Sequence, residues 1–550
     1  MTRQMHVSLF LLLLLFLFVQ LCSTSGILAA PSAGVVREVP LKGQGASQAY
    51  TVATENRKFI RIRAFYEDLT NDKYCTAVGE LIKDFEGNDV ECYANDVFTE
   101  EDISKYIDTI IPAAIKLHED RLLVDPVDGP LIVPEFEENN VCNNITVPED
   151  HHSKGVNDAD MVLYVSARPV YDIYVICARN DDGRPIAGAI NILPFAKKSQ
   201  RYNVRIMAHE IAHVLGFDYN VFKNYSMVDE INFDDGRKRM LVKSSKTKEK
   251  VQEHYGCNTA QGMELEYEKY GNGKTVSSHW NYRVAKDDLM SSQFTVSGMY
   301  YSALTMSVFD DLPYYSANWG MEEPMAWGNK SNCDLLDNNF ENAFVGKYPT
   351  MFCSIGKPYS CTTDRSAVGY CIPESRYTDS DGNEINAAFV RSELYNSANT
   401  GSMSCSDKVT SDIPGSIFDN DSFCLDTEEY TRVVGQDTLS FTGVCARVSC
   451  DGGKVKVMYA GDNKWYDCPE GNLLVPTSTS SFVSGKIMCP KYNEVCTVAP
   501  DGSSRRPMIY PPGYEHPTES PGQGGDGCVA PALLAPVVLF VMTLALSLLF

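Results

Sequence analysis

Sixteen of the chain's eighteen cysteines fall between Cys75 and Cys496, with only Cys22 and Cys528 outside, and that density narrows the folds open to it. In a chain made in an oxidising compartment such a count implies a disulfide scaffold, and the chain ends bear on the compartment. Arg3 precedes a run from Val7 to Leu21 that is apolar but for Ser8 and Gln20, followed by the small residues Ser23, Thr24, Ser25 and Gly26. That is the order of a secretory signal, cut near Ser25, and the run is short for a bilayer span. An even set of cysteines in a secreted chain predicts disulfides, here up to eight. Four N-x-S/T sequons, at Asn144, Asn224, Asn329 and Asn420, fit the same route as glycosylation sites.

At the other end Val529 to Phe550 is apolar to the last residue, with no Lys or Arg behind it, and Gly524, Gly525, Asp526 and Gly527 precede it. Small residues before a terminal apolar tail predict a glycosylphosphatidylinositol signal over 528–550, although the polar spacer is shorter than usual. The mature chain is then expected on the outer cell surface, held in the outer leaflet by a lipid; a true membrane span is the alternative. The Gly522, Gly524, Gly527 match to G-x-G-x-x-G has no strand before it and is a decoy. Lys plus Arg (48) against Asp plus Glu (72) leaves a net charge of −24, which repels phosphate backbones and excludes nucleic acid as an expected partner.

Within the body, Ile60, Ile62 and Ala64 alternate with Arg61 and Arg63, predicting one half-buried strand over Phe59 to Ala64. Thr99 can cap a helix whose apolar stripe runs from Ile103 to Ile115, with a kink at Pro112. Strands are predicted at Met161 to Val165, Tyr174 to Cys177 and Ala187 to Leu193. A second helix, Tyr202 to Leu215, carries His209, Glu210, Ile211, Ala212 and His213, and Gly216 ends it. Four residues is slightly more than one turn, so both imidazoles share a face and can share one metal, with Glu210 beside them. Two satisfied histidines on a buried helix is the plainer reading, but two ring polar groups and a carboxylate are costly there without a shared purpose.

A catalytic zinc takes three protein ligands and keeps one open position, so a third donor is needed. Tyr219 stands where the contiguous long motif would put its histidine. His118 lies on the early helix, His151 and His152 in an acidic loop read as exposed, and His254 in a Lys- and Glu-rich helix read as solvated. His279 is better placed, with Asp287, Asp288, Leu289 and Met290 following it. A glutamate from a downstream helix is the alternative donor.

His209, Glu210, His213, Gly216, a long insertion, Ser278, His279 and the Asp288, Leu289, Met290 turn together resemble leishmanolysin, the surface zinc metalloprotease family of trypanosomatid parasites in the metzincin clan. The resemblance extends over roughly Val35 to Asp526. It implies one zinc per chain held by His209, His213 and His279, Glu210 as the catalytic carboxylate, and Met290 in a turn beneath the metal. It also implies that the Ala187 to Leu193 strand is the sheet edge on which a peptide substrate adds, and that Cys75 pairs with Cys92 and Cys142 with Cys177. The family's propeptide cysteine has no counterpart between Cys22 and Cys75; either this chain matures without a cysteine switch or the sequence begins late.

The fold class expected is α+β, with a metzincin-type catalytic region of mixed sheet and active-site helix followed by a disulfide-rich, mostly β and loop domain. The divisions are 1–25 signal, 35–218 catalytic, 219–345 central with the third histidine, 346–505 Cys-rich, 506–527 linker and 528–550 tail. Asp379, Asp381, Gly382 and Glu384 imitate a calcium loop, but the spacing is that of a plain turn. Two functions compete: a surface zinc endopeptidase acting on proteins or peptides, and a catalytically silent adhesion or decoy protein on the same scaffold.

Overall fold

Strands buried at every position need cover on both faces, and the uninterrupted apolar runs at Met161 and Pro185 meet that need in a mixed sheet. The computed structural model describes residues 57–511 apart from 71, 137–139, 171–173, 193–198, 233–237, 271–272, 293–297, 338–345, 353–359, 370, 374–387, 391–403, 407–414, 435–436 and 477–483. The predicted leader, the apolar tail and the turn at Asp379 to Glu384 lie outside the described residues.

Strands β1 (Ile62–Phe65), β2 (Met161–Ser166), β3 (Tyr174–Arg179) and β4 (Pro185–Asn191) form this sheet in the order β1-β2-β4-β3. β1, β2 and β4 run parallel, with Ile62 beside Met161 and Val162 beside Ala187, while β3 is antiparallel to β4 and forms the edge. The expected edge strand, Ala187 to Leu193, is therefore an interior strand: β3 covers it, with Tyr174 opposite Ile190 and Val175 opposite Ala189. Sequence alternation fixes which face a residue takes; the order of strands depends on non-local pairing.

The predicted single strand at Phe59 to Ala64 is divided. Lys58–Phe59 pairs with Leu122–Val124, and only from Ile62 does the chain enter the main sheet. Arg61 makes the switch, its carbonyl accepting from Asp160 and Met161 and its guanidinium bonded to the Asp160 carboxylate.

Helix α1 (Glu100–Lys105) begins at Thr99, whose hydroxyl and Asp102 form a reciprocal capping box. A π turn, Tyr106–Ile110, joins it to α2 (Ile111–Glu119), which has Pro112 in its first turn. Proline cannot donate to the carbonyl four residues back, and the wider turn just before it absorbs the mismatch.

Helix α3 (Gln200–Val214) is capped by the Ser199 hydroxyl and buried from Asn203 to its end. Gly188 on β4 lets it settle: a Cβ there would lie 2.8 Å from the Val175 carbonyl and collide with Val214. Gly216, with φ of +112°, turns the chain away after the helix.

The stretch from Gly216 to His279 contains an antiparallel meander, β5 (Val228–Asn232), β6 (Lys238–Val242), β7 (Met263–Tyr270) and β8 (Gly273–Trp280). Helix α4 (Ser245–Tyr255) lies between β6 and β7, with Lys246–Glu249 and Lys250–Glu253 pairs outside and Thr247, Val251 and Tyr255 buried. One apolar core runs from Ile60 to Phe352 and also takes in Val498.

A second core, from Cys361 to Cys496, belongs to a six-stranded antiparallel sheet built on the hairpin Ser422–Val434 and Asp437–Ser449. Among the described residues four disulfides staple it: Cys361–Cys424, Cys405–Cys445, Cys450–Cys496 and Cys468–Cys489. The first region holds Cys75–Cys92 and Cys142–Cys177, and Cys257–Cys333 closes the central one. This is the α+β architecture expected, with a disulfide-rich β region after it. Among the described residues no helix is long and apolar enough to cross a membrane.

Candidate metal centre

Helix α3 puts His209 and His213 one turn apart, and the end of β8 brings His279 to them. Their three Nε2 atoms form a triangle with every side 3.1 Å. The opposite ring nitrogens are all engaged. His209 Nδ1 donates to the Leu289 carbonyl at 2.6 Å and His213 Nδ1 to the Phe217 carbonyl at 2.7 Å, while His279 Nδ1 meets the Ser277 hydroxyl at 2.7 Å.

A carbonyl only accepts, so the protons of His209 and His213 sit on Nδ1. Their Nε2 lone pairs then point at one another, an arrangement that is repulsive unless a cation lies between them. Burial, then the neighbouring His279, pushes protonation of the His209 ring down to about 3. Burial, then His209, holds the His213 ring well below the usual histidine range. Both rings stay neutral, the form that ligates. A tetrahedral ion bonded at about 2.0–2.1 Å spaces its nitrogens by about 3.3–3.4 Å, close to the separations found. The residues present fit a three-histidine metal site with one position left for water or substrate.

Glu210 lies next to His209 on the same helix and is 5% exposed. Met290 is fully buried in a turn stitched to the end of β8: Trp280 N donates to the Met290 carbonyl at 2.8 Å, and Met290 N donates to Asp288 Oδ1 at 2.8 Å. Asp288 is held in turn by the hydroxyls of Ser302 and Thr305. The turn thus does more than carry Met290, because its Leu289 carbonyl orients His209.

Among the described residues the remaining histidines are occupied elsewhere. His118 is buried between the Tyr301 hydroxyl and the Ala208 carbonyl, and His254 Nε2 bonds the Trp327 carbonyl. The expected exposed loop at His151 is instead a short helix, Glu149–Ser153, with His151 buried and Nδ1 2.9 Å from the Tyr164 hydroxyl. No glutamate joins the three imidazoles among the described residues. The other donor group, Cys257, Cys333 and Asp337, has its two thiols tied in a disulfide. Asn144, Asn224, Asn329 and Asn420 are all exposed.

Four supporting groups escaped the sequence reading: the Leu289 and Phe217 carbonyls, the Ser277 hydroxyl, and the Tyr174 ring stacked on His213. Ser277 alone had a signal, since residues two apart on a strand share a face.

A buried helix crossing a mixed sheet, two histidines one turn apart, a third on a distant strand and a methionine turn beside them define a metallopeptidase scaffold. Residues 29–502 match the leishmanolysin family model, peptidase family M8, and the chain belongs to that family. It is 32% identical over 468 residues to leishmanolysin of Leishmania major, covering 80% of this chain and 76% of that one. It is 30% identical over 474 residues to a leishmanolysin homolog of Crithidia fasciculata, covering 80% and 70%. A ciliated left-right organizer metallopeptidase of Danio rerio is 23% identical over 543 residues, covering 89% and 83%.

Proposed function

We propose that the chain is a zinc endopeptidase in which His209, His213 and His279 hold the metal and Glu210 is the general base. The observation that carries this reading is the convergence of three imidazole Nε2 atoms, two of them on rings whose Nδ1 partners are carbonyls and leave the Nε2 lone pairs facing inward. These three imidazoles would hold a zinc, which when bound would supply a water of pKa lowered to about 7 and polarise a peptide carbonyl. Glu210 takes the proton of the attacking water and returns it to the leaving amine, and its burial keeps competing solvent away. The Leu289 and Phe217 carbonyls and the Ser277 hydroxyl keep the three rings aimed. Met290, buried in the turn whose Leu289 carbonyl holds His209, would supply an apolar floor beneath the metal.

Peptide binding belongs at β3, which has no second strand partner among the described residues. An extended substrate adding there makes main-chain hydrogen bonds beside α3, with side chains alternating towards and away from the metal. This replaces the Ala187 strand in that role.

Replacing Glu210 by Gln keeps shape and metal while removing the base, so hydrolysis of an unfolded protein should fall at least about a hundredfold with zinc content unchanged. Retained turnover would sink the base assignment. The silent adhesion reading forecasts no zinc-dependent hydrolysis by the wild type, and a chelator control separates the two.

The same reading places the protein at the cell surface, glycosylated at the four exposed asparagines and lipid-anchored after removal of 528–550. The 35–218 and 219–345 portions supply the metal site, and 346–505 the disulfide-stapled support. Phosphatidylinositol-specific phospholipase C applied to intact cells should release active enzyme. Tail peptides from Leu533 to Phe550 in the mature surface protein would show a membrane span instead.

A further inference from the structure

His213 stacks on a ring outside the triad, whereas His209 and His279 stack on each other with centroids 5.0 Å apart. The His213 Nδ1 is fixed by the Phe217 carbonyl, and one face of its ring is covered by Tyr174, with centroids 4.0 Å apart and planes only 11° from parallel. The other aromatic neighbours, His209, His279 and Phe217, all meet His213 edge-on at 4.7, 4.8 and 6.2 Å. Tyr174 stands on the edge strand β3, opposite Ile190 of β4, so the contact joins the sheet edge to the metal-binding helix.

Parallel stacking of two neutral rings is a modest contact, because like π quadrupoles oppose each other wherever the faces overlap. A metal on Nε2 would strengthen that interaction. It draws electron density from the imidazole, the ring takes on cationic character, and the phenol face then attracts it as it would any cation. The stack favours the metal-loaded ring over the empty one, and that difference is expressed as metal affinity.

We propose that Tyr174 is a positioning residue for the metal, acting through His213: its π face holds the ring in the ligating plane and stabilises its metal-bound form. The inference rests on the reading of His213 as a metal ligand. A desolvated cation–π contact has the strength to change metal affinity about 3- to 30-fold.

The test is the zinc dissociation constant of full-length secreted protein, measured by competition with a chromophoric chelator, for wild type, Tyr174→Phe and Tyr174→Leu. Phenylalanine keeps the π face and should hold zinc within about twofold of wild type, whereas leucine keeps bulk without the face and should bind about 3- to 30-fold more weakly. Equal affinity in the Phe and Leu variants would overturn the proposal, because a residue that merely fills space is served by either. Should the Leu protein fail to be secreted, progressively fluorinated phenylalanines at position 174 drain the π face at nearly constant shape. Affinity should then fall stepwise, and a flat series refutes the role. Wild-type protein that takes up no zinc would refute the metal-site reading itself, and the Tyr174 role with it.

Discussion

Glu323→Gln should be among the most destabilising single changes available to this chain, although position 323 lies outside the metal centre. The Glu323 carboxylate is fully buried and bonds both terminal nitrogens of Arg205, the nearest at 2.5 Å, with Arg121 at 3.4 Å and the Tyr301 amide at 2.9 Å. Both arginine side chains are themselves 0–1% exposed. Arg205 is on α3, one turn before His209, and also donates through Nε to the Gly502 carbonyl, while Arg121 reaches Ser504. One carboxylate therefore bridges two guanidinium groups where α3 meets the C-terminal segment.

Removing one partner of a buried pair costs about 3–5 kcal/mol because the other charge is left uncompensated. With two cations left here, the upper half of that range is expected, about 4–5 kcal/mol, against a total stability on the order of 5–15 kcal/mol. The assay is urea unfolding followed by the fluorescence of Trp280 and Trp327, which are both buried. With m of about 1–3 kcal/mol/M the midpoint should fall by at least about 1 M. A Gln variant whose midpoint lies within about 0.2 M of wild type would refute the reasoning. The pH dependence gives a second check. Burial alone would raise the Glu323 pKa, but Arg205 and then Arg121 outweigh it, so the folded value lies below the unfolded one. Its stabilisation is thus fully present above the unfolded pKa of about 4.5 and lost as pH falls through the lower folded value. The Gln variant should lack that part of the acid sensitivity.

Two further outcomes follow from the site and its supports. His279→Ala should lose most of its zinc by elemental analysis while His254→Ala keeps it, because only the first ring reaches the Nε2 triangle; full occupancy in the His279 variant would move the third ligand elsewhere. Replacing Cys142 and Cys177 together by Ser should cost about 4 kcal/mol on the loop-entropy argument for a separation of 35 residues, and should loosen β3, which carries Cys177; unchanged urea stability would contradict it.

What could be read from the sequence was local or covalent. The His209 to His213 spacing, the Gly216 stop and the Thr99 cap each depend on residues within a turn of one another, and each is found in place. The misread parts depend on who sits beside whom across long separations. Nothing near Ala187 announces that the antiparallel Tyr174 strand will cover it, and nothing near Ile60 announces that Arg61 will leave one sheet for another to meet Asp160. His151 looked exposed among acidic neighbours, yet Phe65 and Tyr164, from two different strands, enclose it. Backbone carbonyls such as those of Leu289 and Phe217 carry no residue signature at all.

The non-local contacts also account for the long route between the second and third histidines. A ligand triangle with 3.1 Å sides tolerates little drift, and His279 comes from a strand 66 residues beyond His213. That strand is therefore fixed at several points near its end. Ser278 bonds Asp218 and the Tyr219 amide just after the helix, Trp280 pairs with Met290, and the Asp288 carboxylate, held by Ser302 and Thr305, locks the turn whose carbonyl aims His209. The Ser278 and Leu289 ties link the His279 strand and its turn to the His209 helix and the chain just after it, and the other two brace the turn, so a shift of one element carries the others with it. The geometry of the three histidines is thus set at the two ends of the intervening meander.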